Sequence, residues 1–252
     1  MCSDVNEDHE LKGKFFLRHI HLLIIFCLGV FFFGVPFWCK GSILDPCTGV
    51  LNWGLVATVL ISLVVLGFFQ EFESVARGAK EITLVSMLGT IAALSRLPFA
   101  AMMGFQPCGL FIICTGYVFG PSAGFMVACL TILISNLFLG HGPWTPYQMF
   151  SWGLVGVTAA WLRRVPFLPG RITVLVVFGF IWGYLYGVLM NIWFWTYFVY
   201  PLTLKTYLLT LLNAFVWDGT RALANAVFLG LFGAKVISVL ERFKKRFIWE
   251  IG

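Results

Sequence analysis

Long apolar runs, separated by short breaks rich in Gly, Pro and charge, constrain this chain more than any other feature. The runs are Phe15–Trp38, Leu51–Phe69, Ile82–Leu97, Cys108–Phe119, Ser122–Leu139, Tyr147–Leu162, Ile172–Tyr200 and Thr206–Leu240. A bilayer core needs about 20 apolar residues per helical crossing, and Cys108–Phe119 is short for one. Pro98 bends or ends the third run, Gly120-Pro121 turns the chain, and Asp218-Gly219 offers a break inside the last run. Of the 252 residues, 60% are apolar and 11% charged, with a mean hydropathy of +0.92. A soluble domain carries about 25% charge. The fold class is therefore all-α, a polytopic membrane helical bundle of eight segments. The net charge of +6 is read through the placement of Lys and Arg, not as a sign of nucleic-acid binding.

Five stretches organise the chain. Residues 1–14 form a polar tail, 15–70 a two-helix N-terminal extension, 71–81 a charged linker, 82–246 a six-helix core, and 247–252 the C-terminal end. The first run is too long for a signal-peptide core and lacks a small-residue cleavage site after it, so it reads as a retained helix. With the N-terminus inside, 13 of the 17 Lys and Arg fall on inner segments; Lys40, Arg96, Lys205 and Arg221 do not. That bias puts both termini in the cytoplasm and turns the Arg96–Pro107, Gly140–Pro146 and Tyr200–Lys205 loops outward. The seven cysteines show no metal-ligand spacing. Most read as packing residues; Cys39 and Cys47, flanking one loop, are open to pairing on an oxidising side.

A short polar, aromatic turn broken by Gly and Pro joins two apolar runs within NLFLGHGPWTPYQMFSWGLVG, Asn136 to Gly156. Gly140, Gly142, Pro143 and Pro146 interrupt helix there, and Trp144 and Tyr147 are rings that settle at a membrane surface. Asn136, His141, Gln148 and Trp152 lie close by, which points to a loop that helps shape a binding cavity. Arg96, near the outer end of its helix, either snorkels to headgroups or touches a ligand. Asp218 and Arg221 share a helix face, as a self-paired ion pair or a polar anchor. Asn191 sits among Trp182, Trp193, Phe194, Trp195 and Tyr197, which form either an interfacial belt or an aromatic wall. No hydrolase, zinc-protease or phosphate-loop motif is present and the four His do not cluster. These features favour binding and translocation over enzymatic activity, with no cofactor expected. Small residues four apart recur at Gly179/Gly183/Gly187, Gly116/Gly120, Gly124/Ala128, Gly156/Ala160 and Gly89/Ala93, marking close helix approach.

EITLVSMLGTIAALSRLPF, followed by GYVFGPSAGFMVACLTILISNLFLGHGPWTPYQMFSWGLVG, resembles the substrate-specific (S) components of energy-coupling factor (ECF) transporters, over roughly Lys80 to Arg246. The resemblance implies a six-helix subunit in a prokaryotic cell membrane that binds a vitamin-like micronutrient from outside. Its implied partners are a transmembrane coupling protein and two cytoplasmic ATPases. It implies a docking face of small residues on the first core helix, which maps to Gly89, Ala92 and Ala93, as GxxxA instead of AxxxA. It implies ligand contacts at outward helix ends, which map to Arg96, Gln106, Asn136, His141, Trp144, Gln148 and Asn191. Cobalamin or a related cofactor precursor comes first among ligands, with a queuosine precursor or another flat ring also suited. The two extra N-terminal helices depart from the six-helix pattern. Two other functions stay open: a stand-alone secondary transporter, which should show matching broken helices in two halves, and a lipid-modifying enzyme using Asp218 and His141.

Overall fold

The computed structural model describes residues 52–74, 79–163 and 171–247. The first apolar run, the Cys39–Cys47 loop and most of the basic loop after Arg163 lie outside the described residues. The described residues form seven α-helices and no strand. They are α1 (Trp53–Ser74), α2 (Ala79–Arg96), α3 (Cys108–Phe119), α4 (Pro121–Leu139), α5 (Thr145–Leu162), α6 (Arg171–Phe198) and α7 (Leu204–Phe247), with a 3-10 turn at Leu97–Phe99. Gly and Pro set the boundaries. Gly120, at φ +103°, ends α3, and Pro121 opens α4 where its missing N–H costs nothing. Gly140, at φ +98°, ends α4, and Pro146 lies in the first turn of α5.

Among the described residues, four stretches are long and apolar enough to cross a membrane: Ala79–Phe99, Pro121–Leu139, Ile172–Phe198 and Leu204–Arg246. The short α3 is the buried centre of the bundle, against α2, α4, α5 and α7. At about 1.5 Å per residue α3 is only about 18 Å long. Its neighbours surround it, so it need not match the bilayer by itself. Hydroxyls of Thr115, Thr131, Thr158 and Thr196 donate to carbonyls one turn back, which satisfies them where water is absent.

Glycines bring the backbones together. Gly116 on α3, Gly124 on α4 and Gly156 on α5 meet at one point, and a Cβ on any of them would run into a neighbouring main chain. Between the antiparallel α6 and α7, Gly179 faces Leu229, Gly183 faces Ala222 and Gly187 faces Asp218. The small-residue spacing thus marks internal packing at these sites.

Two expectations are corrected. The last helix does not break at Asp218-Gly219 but runs unbroken for 44 residues. Asp218 pairs with Arg221 one turn on along the same helix, a contact that only continued helix provides. Gly89, Ala92 and Ala93 do not form an outward docking face. Ala92 and Ala93 are 0% and 1% exposed, and a Cβ on Gly89 would stand 2.7 Å from Leu130 Cβ on α4. The exposed face of α2 carries larger residues, Ile82, Met87, Ile91 and Leu94.

The added helix α1 packs on α5 and α6. Thr58 Oγ1 lies 3.1 Å from Tyr197 Oη, Gly54 lies under the Tyr197 ring, and Trp53 is buried with Trp195 and Leu202. At the opposite end of the bundle, Arg163 and Lys244 donate to the Val118 carbonyl at 3.0 and 2.6 Å. Two cations there face the negative end of the α3 dipole.

Candidate substrate-binding site

The turns 100–107, 140–144 and 199–203 gather at one end of the bundle because successive helices alternate in direction. Two contacts tie this end together. The Thr220 hydroxyl donates to the Met103 carbonyl, and the Trp144 and Trp193 rings meet edge to face at 5.4 Å. Gly142 lets the loop fold back, since its Cα lies where the Trp144 ring passes and a Cβ would overlap that ring.

At this end, between α6 and α7, lies a cavity of about 580 Å³, within the usual range for small-molecule sites. Gln148 of α5, Tyr186, Met190, Asn191 and Trp193 of α6, and Thr210, Asn213, Asp218 and Arg221 of α7 are in its wall. Rings of Tyr186, Trp193, Phe194 and Trp217 make the apolar part. The polar part is concentrated on α7. Arg221 Nη1 donates to Asp218 Oδ1 at 2.8 Å, and its guanidinium lies 4.3 Å from the Tyr186 ring centre. Guanidinium stacking on a ring and bonding to a carboxylate fixes its plane and direction.

The two amides of the wall are each held by one half. Gln148 Oε1 accepts from Asn136 Nδ2 at 2.8 Å, and Asn191 Nδ2 donates to the Gly187 carbonyl at 2.8 Å. Among the described residues the other halves have no bond, so Gln148 offers a donor and Asn191 an acceptor. A flat ligand with both kinds of group, stacked on Trp193 or Tyr186, matches this arrangement.

Of the residues expected at the site, the structure puts Gln148 and Asn191 in the cavity wall and the others around it. Asn136, 2% exposed, stands behind Gln148 and orients it, reaching Thr145 Oγ1 at 3.4 Å as well. Trp144 backs Trp193. Arg96 does not snorkel. It is 6% exposed, with Nε donating to Gln106 Oε1 at 2.9 Å and Nη1 to Ser135 Oγ. Gln106 therefore serves Arg96. His141 is exposed, 3.4 Å from Thr145 Oγ1, and is not part of the wall. Asp218 and Arg221 are wall residues that the resemblance did not supply. Their signal in the sequence was an acid and a base three apart inside an apolar run. The wider aromatic wall divides. Trp193 and Phe194 face the cavity, while Trp195 is buried and donates to Thr206 Oγ1 and Tyr197 binds α1.

The model of the ECF transporter substrate-specific component family matches residues 80–241. The chain belongs to this family. The matched stretch runs from the start of α2 into the last turns of α7 and takes in every residue of the cavity wall. This S component is also similar to a cobalt transport protein CbiM of Ruminiclostridium cellulolyticum, 27% identical over 126 residues. That match covers 48% of the chain and 44% of the relative, so the chain spans less than half of the relative's length. No solved structure matches the chain. The family is a transporter component and not an enzyme family, in keeping with the apolar helices long enough to cross a membrane.

Proposed function

We propose that this S component captures a micronutrient-sized organic molecule in the cavity between α6 and α7, from the outer side of a prokaryotic cell membrane. The positive-inside bias puts that end outside and both termini in the cytoplasm. The observation that carries the reading is the cavity itself. It is a hollow of about 580 Å³ that combines stacking rings, two half-free amides and an oriented guanidinium in a chain of this family.

Nothing in the wall assembles a motor or a reaction centre. Asp218 is engaged by Arg221, and His141 lies in the loop beside Thr145. This argues against the pairing that a lipid-modifying enzyme would use. Import then draws on partners, a membrane coupling protein and two ATPases, as in the family arrangement the resemblance implies. A stand-alone secondary transporter would instead move substrate on an ion gradient alone.

Among cobalamin-related ligands, the cavity suits a precursor-sized, flat, hydrogen-bonding molecule better than a whole corrinoid, whose macrocycle and side chains need more room than 580 Å³. The similarity to a protein named for cobalt transport favours keeping this class. Against a bare ion, the described residues hold no group of three His, Cys, Asp or Glu. The test is purification of the full chain in mild detergent from cells grown in rich medium, with mass spectrometry of what it retains. A flat organic molecule lost in Gln148→Ala and Trp193→Ala supports the reading. A retained molecule indifferent to both substitutions refutes it. Uptake that needs co-expressed ATPases supports the partner assignment, and gradient-driven uptake without them overturns it.

A further inference from the structure

Among the described residues, the end of the bundle that holds the cavity brings together two guanidinium groups, Arg96 and Arg221, and one carboxylate, Asp218. Arg221 lines the cavity and shares Asp218. Arg96 is 6% exposed, and its partners are both neutral, Gln106 Oε1 and Ser135 Oγ. A guanidinium has five N–H donors, and Arg96 uses two of them on these partners. Among the described residues no acid reaches it. Both cations meet the same turn: Gly104 lies against Arg221 Nη2, and Gln106, two residues on, accepts from Arg96. Tyr186 is in the cavity wall and beneath Arg221.

Two like charges near each other in a low-dielectric site repel, and buried charges are ordinarily paired. Neutral hydrogen bonds orient Arg96 but leave its charge unbalanced. The Asp218 carboxylate cannot serve both cations, since Arg221 holds it at 2.8 Å on the same helix. Arg221 keeps N–H groups beyond the one given to Asp218. One negative group on the ligand would balance the site.

We propose that the molecule bound in the cavity carries an anionic oxygen group, a carboxylate or a phosphate. Arg221 receives that group, and the unbalanced charge of Arg96, held at the same turn, strengthens the binding. This rests on the cavity being the substrate site. Arg96 is a positioning and electrostatic residue here, and Arg221 is the contact.

The test uses the full chain in lipid nanodiscs and reads the melting temperature with benzoate, phenyl phosphate and benzamide, at matched ionic strength. The three probes share a flat ring and differ in charge. Benzoate, phenyl phosphate or both raise the melting temperature by several degrees and benzamide does not. Which of the two does so tells carboxylate from phosphate. The rise disappears in Arg221→Gln and shrinks in Arg96→Gln. A second readout needs no ligand: Arg96→Gln keeps hydrogen-bonding capacity but removes the charge, so the ligand-free protein melts at the same or a higher temperature. Equal shifts with all three probes, no shift with any, an anion effect undiminished in Arg96→Gln, or a lower ligand-free melting temperature in that variant overturns the proposal. If benzamide stabilises as well as the anions, and Gln148→Ala removes the effect, the cavity stands and the anion falls. If an anion effect survives Gln148→Ala, Asn191→Ala and Trp193→Ala, the cavity itself is the part that fails.

Discussion

Gly187→Ala is the sharpest test of how packing and site are joined. A Cβ at Gly187 would overlap the Asp218 carboxylate, at less than the 3.0 Å that real Cβ contacts respect. Its nearest obstacles are all carboxylate atoms of Asp218, so the side chain, not the α7 backbone, is what must move. Moving it strips Arg221 of its acid. Breaking a buried ion pair by removing one partner costs about 3–5 kcal/mol. This pair keeps 19% and 10% side-chain exposure, which places the cost near the lower end of that range. Replacing a mid-helix glycine by alanine returns about 0.5–1 kcal/mol. The net expectation is a loss of about 2–3 kcal/mol. The assay is denaturant unfolding in detergent, followed by circular dichroism, as a double-mutant cycle with Asp218→Ala. In the Asp218→Ala background the carboxylate is gone, and Gly187→Ala becomes neutral or stabilising, a coupling of about 2 kcal/mol or more. A Gly187→Ala protein as stable as the parent, or an equal loss in both backgrounds, would refute the reasoning.

Three further outcomes follow from named contacts. Gly116→Ala drives a Cβ into the Gly156 main chain and costs about 3 kcal/mol or more, whereas Gly230→Ala, whose nearest obstacle is Val176 Cγ2 at 3.8 Å, gains about 0.5–1 kcal/mol; equal effects on unfolding would contradict the glycine contact. Asn136→Ala releases Gln148 without touching the cavity and weakens binding of the retained ligand about tenfold, about 1.4 kcal/mol, which an unchanged affinity in equilibrium binding would contradict. Tyr197→Phe removes the hydroxyl that meets Thr58 and costs about 1 kcal/mol of unfolding free energy, and the same change in a Thr58→Ala background costs nothing more if that bond is the cause.

Helix positions and breaks were legible because lipid imposes one rule, that backbone polar groups be satisfied within the segment. Gly120-Pro121 and Gly140 could be read as stops from their own chemistry, and they are stops. Which face of a helix turns inward was less legible. In lipid both faces are apolar, so Gly89 and Ala93 read equally well as docking or as internal packing, and only Leu130 across from them decides. For the same reason Arg96 was ambiguous. Its sequence position suits snorkelling, and its burial depends on Ser135 and Gln106, which arrive from α4 and the 100–107 turn. Asn136 and Gln148 were legible as a polar pair, but not that one positions the other. The break expected at Asp218-Gly219 failed because the local signal of a turn dipeptide was outweighed by the i,i+3 pair and by α6 lying along the whole segment.

The cavity exists because the α6–α7 zipper stops. Gly179, Gly183 and Gly187 let the two helices touch at three positions, each four residues from the next. The next step on α6 is Asn191, facing the hollow with Ala214 of α7 also in its wall. A side chain of that size cannot continue the close approach, so the helices part above Gly187. The rings of Trp193 and Phe194 line the wedge that opens. Asn191→Gly should extend the zipper by one step. Closer packing would offset the roughly 1 kcal/mol that glycine costs in a helix. Stability is then expected to stay level while ligand retention is lost, as read by unfolding and by mass spectrometry on one preparation. Lowered stability with retention intact would mean that Asn191 does not hold the wedge open.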